Sequence, residues 1–428
     1  MMSENTISGT QRKKVLILTA DAGFGHRTAA IAVADALGRN YPECHVVISN
    51  PLEYEQTPAF LRKQQSDYDR IVLGLPDLYK FGYQASDASV PVAIMERALT
   101  ILLYDAIRTA LKRYQPDVIV TTYPLYQAPL SAVFSIQRKS VPLLTVVTDL
   151  GTVHRIWFHE GADICFVPNQ AVKDLALEAG LQEEKIRITG IPVNPQFSDL
   201  PADKREIRRL LGWDEERITL LAVGSKRARN LNQMLNCVNH SRLPLQLALV
   251  AGGYDPLYEE FQNTKWHLPV HLYNFTREMP LLMGAADCAL GKAGGLFVTE
   301  AMACGLPLVI VDVLPGQEEG NASFVIDGEA GELADTPEKV LEVLFHWLED
   351  DAALLEERKK RARLLGRPLA AFEIAAAAWQ AAQHGPVTMA ESRLLGRAGL
   401  VDLLGRYGVK TGEGSSGDTK ISKPRGIR

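Results

Sequence analysis

Residues 13–37, KKVLILTADAGFGHRTAAIAVADAL, decide the fold class. Lys13–Thr19 is a near-continuous apolar run, as suits a strand buried on both faces. Asp21-Ala22-Gly23-Phe24-Gly25-His26-Arg27 follows, and Thr28–Leu37 then carries apolar residues at helical spacing. Working outward, His45–Ser49, Asp117–Thr122, Leu143–Thr148 and Asp163–Val167 repeat the strand pattern, with Ile94–Leu111 helical between them. The same grammar restarts at Ile218–Val223 and continues through Leu245–Ala251, Val270–Tyr273, Cys288–Leu290 and Leu308–Val311. Strands alternating with helices predict βαβ units and parallel sheets. Between the two series lies Ile191–Asp203 (IPVNPQFSDLPAD), whose prolines and polar residues read as a linker. The expectation is an α/β protein of two Rossmann-like domains facing each other across a cleft at the carboxyl ends of their strands. The first spans residues 1–195 and the second 196–385, with the Ala-rich last helix packing back on the first. Residues 386–428 hold a short amphipathic stretch, Glu391–Tyr407, and a tail of disordered composition, Thr411–Arg428.

Composition narrows the function classes. Hydrophobic residues at 46% and charged residues at 23% are ordinary for a globular chain of 428 residues and exclude a mostly disordered one. A net charge of −5 argues against a nucleic-acid partner, which favours a strongly basic domain. Cys44, Cys165, Cys237, Cys288 and Cys304 form no C-x-x-C pair and read as reduced, small, buried side chains. No apolar run approaches the ~20 residues of a membrane span, and MMSENTISGTQRKK lacks the apolar core of a secretory signal. A cytoplasmic protein, soluble or peripheral, is expected.

The first glycine loop, with Gly23 and Gly25, lets backbone approach a ligand at a helix N-terminus, where free N–H groups and partial positive charge favour anions. A dinucleotide fingerprint is not complete: Thr28 stands where a third glycine belongs, and Ser49-Asn50 ends the second strand in place of an acidic residue. His26 lies in the first helical turn, where the dipole favours a neutral imidazole able to accept a proton. Spacing alone leaves it open between a base and a residue that bonds the loop backbone.

In the second half, Gly291-Lys292-Ala293-Gly294-Gly295 follows the strand ADCAL and opens a helix carrying Thr299 and Glu300. Such a turn suits a diphosphate. Glu300, about one and a half turns in, is placed either to accept two hydrogen bonds from a ribose diol or to pair with a neighbouring cation. The next strand, PLVIVD, leads to Pro315-Gly316-Gln317-Glu318-Glu319-Gly320-Asn321, whose amide and carboxylate groups suit sugar hydroxyls. The strand ITLLAVGS ends in Gly224-Ser225, which join the binding set. Lys226, Arg227 and Arg229 beyond it either add positive charge or lie on the surface.

The string YNFTREMPLLMGAADCALGKAGGLFVTEAMACGLPLVIVDVLPGQEEGN resembles the donor half of monogalactosyldiacylglycerol synthases and diacylglycerol glucosyltransferases, relatives of the peptidoglycan enzyme MurG. VLILTADAGFGHRTAA, YQPDVIVTTYPL, VVTDLGTVHRIWFHEGADICFVPN and KIRITGIPVNPQF extend the likeness over roughly residues 13–335. It implies a GT-B glycosyltransferase that inverts configuration and uses a UDP-sugar without a metal or other cofactor. By that likeness Glu300 would hold the uridine ribose, Phe275 and Met279 would sit near the uracil, and Lys292, Gly294 and Gly295 would meet the diphosphate. Gln317, Glu318 and Asn321 would address the donor sugar and nearby phosphate. His26 would be the acceptor's base, with Asp149 as a carboxylate that orients or helps it.

The chain departs from the family at Phe24, which interrupts three successive glycines, at Gly295-Leu296-Phe297 in a loop that commonly reads K-A-G-P-G-T, and at Tyr123, where many relatives have histidine. No D-x-D metal site is evident at a strand end, since Asp67-Tyr68-Asp69 lies in a helical stretch. Residues 52–110 read as the acceptor side. Tyr54, Phe60, Tyr68, Tyr79, Phe81 and Tyr83 are interleaved there with Arg62, Lys63, Arg70 and Lys80, as suits either an anionic membrane surface or a helical core with a solvated edge. The tail after Lys410 is also basic. The expected reaction moves a hexose from UDP-galactose or UDP-glucose to diacylglycerol or a similar lipid, giving a β-glycoside. Other readings are a GT-B transferase with another lipid or small-molecule acceptor, a UDP-sugar 2-epimerase, and a non-catalytic nucleotide-sugar sensor.

Overall fold

The computed structural model describes residues 12–21, 24–62, 89–226, 231–316 and 318–388, together with Leu400 and Leu404. The first lobe runs β1 (Lys14–Leu18), α1 (Phe24–Asn40), β2 (His45–Ser49), α2 (Ser89–Tyr114), β3 (Val118–Thr121) and α3 (Gln127–Gln137). A two-residue β4 (Lys139–Ser140), β5 (Leu143–Val146), β6 (Ile164–Val167), α4 (Gln170–Glu178) and β7 (Ile186–Ile188) complete it. Its parallel sheet has the order β2-β1-β3-β5-β6-β7. Alternation along β1 sets the two faces. Leu16 and Leu18 pack with Leu103, Val133 and Ile119 on one side. Val15 and Ile17 pack with Ala30, Val33 and Val120 on the other.

The second lobe runs α5 (Lys204–Leu211), β8 (Ile218–Val223), α6 (Leu231–His240), β9 (Leu245–Val250), α7 (Asp255–Asn263), β10 (Val270–Tyr273) and α8 (Met279–Ala285). It continues with β11 (Cys288–Lys292), α9 (Gly295–Ala303), β12 (Leu308–Asp312), α10 (Glu319–Asp327), β13 (Gly331–Leu333) and α11 (Pro337–Leu365). The order β10-β9-β8-β11-β12-β13 gives a second six-stranded parallel sheet. Leu221, Ala248 and Ile310 meet Val298 and Val325 on one face. Leu220, Leu247 and Val309 meet Phe261, Val343 and Trp347 on the other. The sixth strands, β7 and β13, extend the sheets beyond the strands the sequence pattern marks, because three-residue strands carry too few positions to show alternation.

The chain crosses between lobes twice. Ile191–Asp203 is not an open linker: Ile191, Val193 and Phe197 are buried with second-lobe residues such as Leu282 and Val298. The return crossing leads from α11 into α12 (Ala370–His384), whose Ile374, Ala375 and Ala378 pack against Val15 and Ile17 of the first sheet. Gly190, with φ 93°, presses so closely on Arg367 that a Cβ would overlap its side chain, so the two crossings lie side by side. The final β14 (Val387–Thr388) pairs antiparallel with β4.

The expectations for residues 63–88, Asp67-Tyr68-Asp69 included, lie outside the described residues, as do those for Arg227, Arg229, Glu391–Tyr407 apart from Leu400 and Leu404, and Thr411–Arg428. All five cysteines are free; Cys165 and Cys288 are buried as expected, whereas Cys44, Cys237 and Cys304 are only half-buried. Among the described residues no helix is long and apolar enough to cross a membrane.

Candidate active site

In each sheet the chain reverses its direction of strand addition, between β1 and β3 in the first and between β8 and β11 in the second. Loops diverge at the carboxyl ends of such strand pairs and leave a crevice. His26 follows β1, Tyr123 follows β3 and Thr148 follows β5, so strand order alone brings them together. The Thr122 hydroxyl lies 2.9 Å from the His26 carbonyl oxygen and fixes the start of α1 to the end of β3. The His26 ring sits edge-on to Tyr123 at 5.1 Å and tilted against Trp157 at 5.9 Å. Its Nδ1 is 2.8 Å from Thr148 Oγ1. Desolvation pushes the imidazole down to about 4, against a hydrogen bond with the Thr122 backbone that raises it. Shifted that far down, the imidazole is neutral at physiological pH.

Asp149, next in sequence to Thr148, turns the other way. Its Oδ2 accepts from Trp157 Nε1 at 3.0 Å. Burial raises the carboxyl to about 6, and the indole bond works against that shift. Asp149 therefore reaches His26 through the Trp157 ring, while Thr148 holds the imidazole directly. Nothing in the sequence marks out Thr148 or Trp157, since a Thr-Asp pair ending a strand is common and its nearness to His26 depends on strand order. On the other side of the same glycine loop, Arg27 makes a two-pronged ion pair with Asp21, with Nη2 to Oδ2 at 2.7 Å. Asn50, at the end of β2, bonds Asp21 as well and accepts from the Tyr126 hydroxyl at 3.0 Å.

Lys292, Gly294, Gly295, Glu318 and Asn321 cluster at the ends of β11 and β12. A Cβ on Gly294 would meet nothing within 4 Å, and the same holds for Gly25 across the crevice. These glycines thus face open space where backbone is accessible to a ligand. Gly295 starts α9, with the Thr148 carbonyl oxygen 3.8 Å from where its Cβ would stand. Lys292 and Glu318 pair with each other at 2.8 Å, nearly buried, and Glu318 also accepts from the Leu314 N–H. Asn321 donates to the Ala293 carbonyl at 3.0 Å and braces the loop that carries Gly294.

Among the described residues Glu300 has no ion pair or hydrogen bond through its carboxylate, and burial raises it to about 8. The ring of Phe275 is 69% exposed on the loop after β10, beside Gly253. Met279 begins α8, half-buried against the core. Gly224 is explained by packing, because a Cβ there would overlap Leu257 and crowd Leu231. Ser225 is half-buried next to it and Lys226 is exposed. Gly23 and Gln317 lie outside the described residues. The arrangement sets a neutral imidazole from one lobe against a helix N-terminus and open glycine backbone from the other, a geometry suited to displacement of an anionic leaving group.

Comparisons with known proteins agree with this architecture. A family profile for monogalactosyldiacylglycerol (MGDG) synthase matches residues 26–193, and one for the glycosyltransferase family 28 C-terminal domain matches residues 218–371. A probable chloroplastic monogalactosyldiacylglycerol synthase of Glycine max is 32% identical over 380 residues, covering 86% of this chain and 72% of that protein. Monogalactosyldiacylglycerol synthase 3 of Arabidopsis thaliana, also chloroplastic, is 32% identical over 377 residues, covering 86% and 81%. Among solved structures, MurG of Acinetobacter baumannii superposes with a TM-score of 0.54 at 17% identity, covering 86% of this chain and 99% of that one. A UDP-GlcNAc 2-epimerase of Neisseria meningitidis bound to UDP-GlcNAc gives 0.54 at 14%, covering 86% and 100%. These last two likenesses establish the two-lobed GT-B fold.

Proposed function

Because the chain belongs to the monogalactosyldiacylglycerol synthase family of sugar-transferring enzymes, we propose that it moves galactose from UDP-galactose to the free hydroxyl of diacylglycerol, with inversion at the anomeric carbon. The observation that carries this reading is the position of His26. A neutral imidazole is held by Thr148, whose carbonyl borders Gly295 at the start of the donor-side helix. Acceptor base and leaving-group cradle thus stand within one crevice, as in-line displacement requires.

In this reading the diphosphate lies over Gly294 and Gly295, where the N–H groups and dipole of α9 and the Lys292 ammonium offset the charge it gains as the glycosidic bond breaks. No metal ion is needed for that role. Lys292 exchanges its Glu318 partner for phosphate oxygens, which frees Glu318 to accept from the donor sugar. Glu300 accepts the ribose diol, and Phe275 covers the uracil. His26 takes the proton of the attacking hydroxyl. A membrane-bound acceptor is consistent with exposed Phe60 and Ile94 on the first lobe, with exposed Arg62 and Arg97 close to them in sequence.

The test is transfer from labelled UDP-galactose to diacylglycerol in mixed micelles, with UDP-glucose in parallel. Galactolipid formation that His26→Ala abolishes, with UDP binding retained, supports the proposal. Equal use of UDP-glucose, or a His26→Ala rate close to that of the native protein, contradicts it.

A further inference from the structure

We propose that Thr148 is the positioning residue of the base: its hydroxyl accepts the Nδ1 proton of His26, fixes the tautomer, and leaves Nε2 as the nitrogen that receives the acceptor's proton. This rests on the reading of His26 as base. The two ring nitrogens lie on opposite flanks of the imidazole, so tying one directs the other. The 2.8 Å contact from Nδ1 to Thr148 Oγ1 supplies the side-chain tie, alongside the ring's hydrogen bond with the Thr122 backbone, and Thr148 is only 8% exposed, so water competes poorly for it. Tyr123 and Trp157 flank the ring and restrict its rotation.

The choice of a hydroxyl has a chemical consequence. A carboxylate on Nδ1 draws the imidazole toward its charged form, whereas a hydroxyl orients it without adding charge. The carboxylate that follows in sequence, Asp149, is kept off Nδ1 by its bond to the Trp157 indole. Tyr123 and Asp149 are the ionisable side chains shown beside the ring and beyond its indole neighbour. His26 thus stays an uncharged base in a desolvated place. In the step itself the acceptor oxygen bonds to the anomeric carbon, and the bond from that carbon to the phosphate oxygen breaks, with its electron pair leaving on UDP. The hydroxyl proton passes to Nε2, which gives imidazolium, and solvent later removes it. Thr148 also joins the two half-sites, since its carbonyl borders Gly295 of the donor lobe.

The experiment uses the full chain with selectively 15N-labelled histidine, as the native protein and as Thr148→Ser, Thr148→Val and Thr148→Asp. The native protein is expected to show His26 with its proton on Nδ1 and a bare Nε2 at neutral pH. Thr148→Val is expected to lose that single tautomer and to slow transfer roughly 10- to 100-fold, the cost of a misaligned reacting group, with the KM for UDP-sugar unchanged. Thr148→Ser is expected to restore both, and Thr148→Asp to raise the pH at which His26 titrates. A proton found on Nε2 in the native protein overturns the proposal, as does a valine variant with the native tautomer and rate. Should the valine variant not fold, the native spectrum and the serine variant still decide. Should no acceptor accept a sugar, the functional reading fails, and the nitrogen spectrum decides Thr148 separately.

Discussion

Gly151 of the first lobe and Gly320 of the second meet backbone against backbone: a Cβ on Gly151 would stand 2.6 Å from Gly320 Cα, and one on Gly320 would stand 2.7 Å from the Gly151 carbonyl carbon. No side chain fits between them. The contact joins the loop that carries Thr148 and Asp149 to the first turn of α10, which carries Asn321. Leu150 beside it is buried among second-lobe residues such as Ala293 and Val298. Gly320→Ala is therefore expected to hold the lobes apart and slow transfer by about 10-fold or more through misplacement of the base, while UDP affinity changes little. Calorimetric UDP binding with steady-state rates checks this, and a native transfer rate would show that the contact is not needed for closure.

If Glu300 holds the donor's ribose as proposed, it links donor binding to protons. Burial raises its carboxyl from the ordinary 4.5 to about 8, so at neutral pH the empty protein holds it protonated. A raised acid favours the folded state fully below about 4.5, and that contribution is lost as pH rises through about 8. Glu300→Gln has no such proton to lose. Its melting temperature relative to the native protein is expected to climb by a few degrees, roughly 1 kcal/mol or more, between pH 5 and pH 8.5, while UDP binding weakens. Parallel melting curves at the two pH values would contradict the assignment.

Asp149 and His26 titrate in separate ranges, about 6 and about 4. If the Asp149 charge assists the base, transfer falls as pH drops through about 6, because the carboxylate gains a proton first. Asp149→Asn is then expected to be slower, with its acid limb moved down toward 4, where His26 itself becomes charged. The pH dependence of kcat/KM for both proteins checks this. An unmoved limb would assign the inflection near 6 to another group.

Leaving-group charge is assigned to α9 and Lys292. Transfer is accordingly expected to survive exhaustive treatment with EDTA, whereas Lys292→Ala is expected to lower kcat by about 10²-fold, typical for loss of one charge-stabilising group. Loss of activity in EDTA that magnesium restores would replace this assignment.

A cluster far from the crevice provides a control. Asp287 accepts from Lys359 at 3.0 Å, pairs with Arg208, and lies 3.6 Å from Lys204. It also accepts from the Thr219 N–H at 2.9 Å and so anchors the starts of β8 and β11. Asp287→Ala leaves buried cations without their counter-ion and is expected to cost about 3–5 kcal/mol by urea denaturation. The UDP affinity of the fraction that stays folded is expected to be unchanged.

Much of the frame was legible from residues alone. Continuous apolar runs such as Lys13–Thr19 and Ile218–Val223 become central strands because a parallel sheet covered on both faces has no polar side to encode. The glycine loops at Gly25 and Gly294 announced themselves by composition, and a Cβ at either would meet nothing within 4 Å, so packing within the chain does not account for glycine there. Ile191–Asp203 does connect the lobes, as its prolines and polar residues indicate, but Val193 and Phe197 carry enough apolar surface to bury, so the connection is packed. At Gly224 the sequence does not show that Leu257 and Leu231 close the space a side chain would need. A glycine after a strand looks the same in sequence whether a ligand or Leu257 takes up the space.

The two α/β lobes and the glycine-bearing turns at their strand ends were readable from local patterning, because periodicity and turn residues act over a few positions. Only the tertiary structure decided the pairings. Thr148 holds His26 across 122 positions, Lys292 closes on Glu318, and Gly151 touches Gly320. Such contacts follow from strand order and from the docking of one lobe on the other, which arise from packing of the whole chain and leave no local pattern to read.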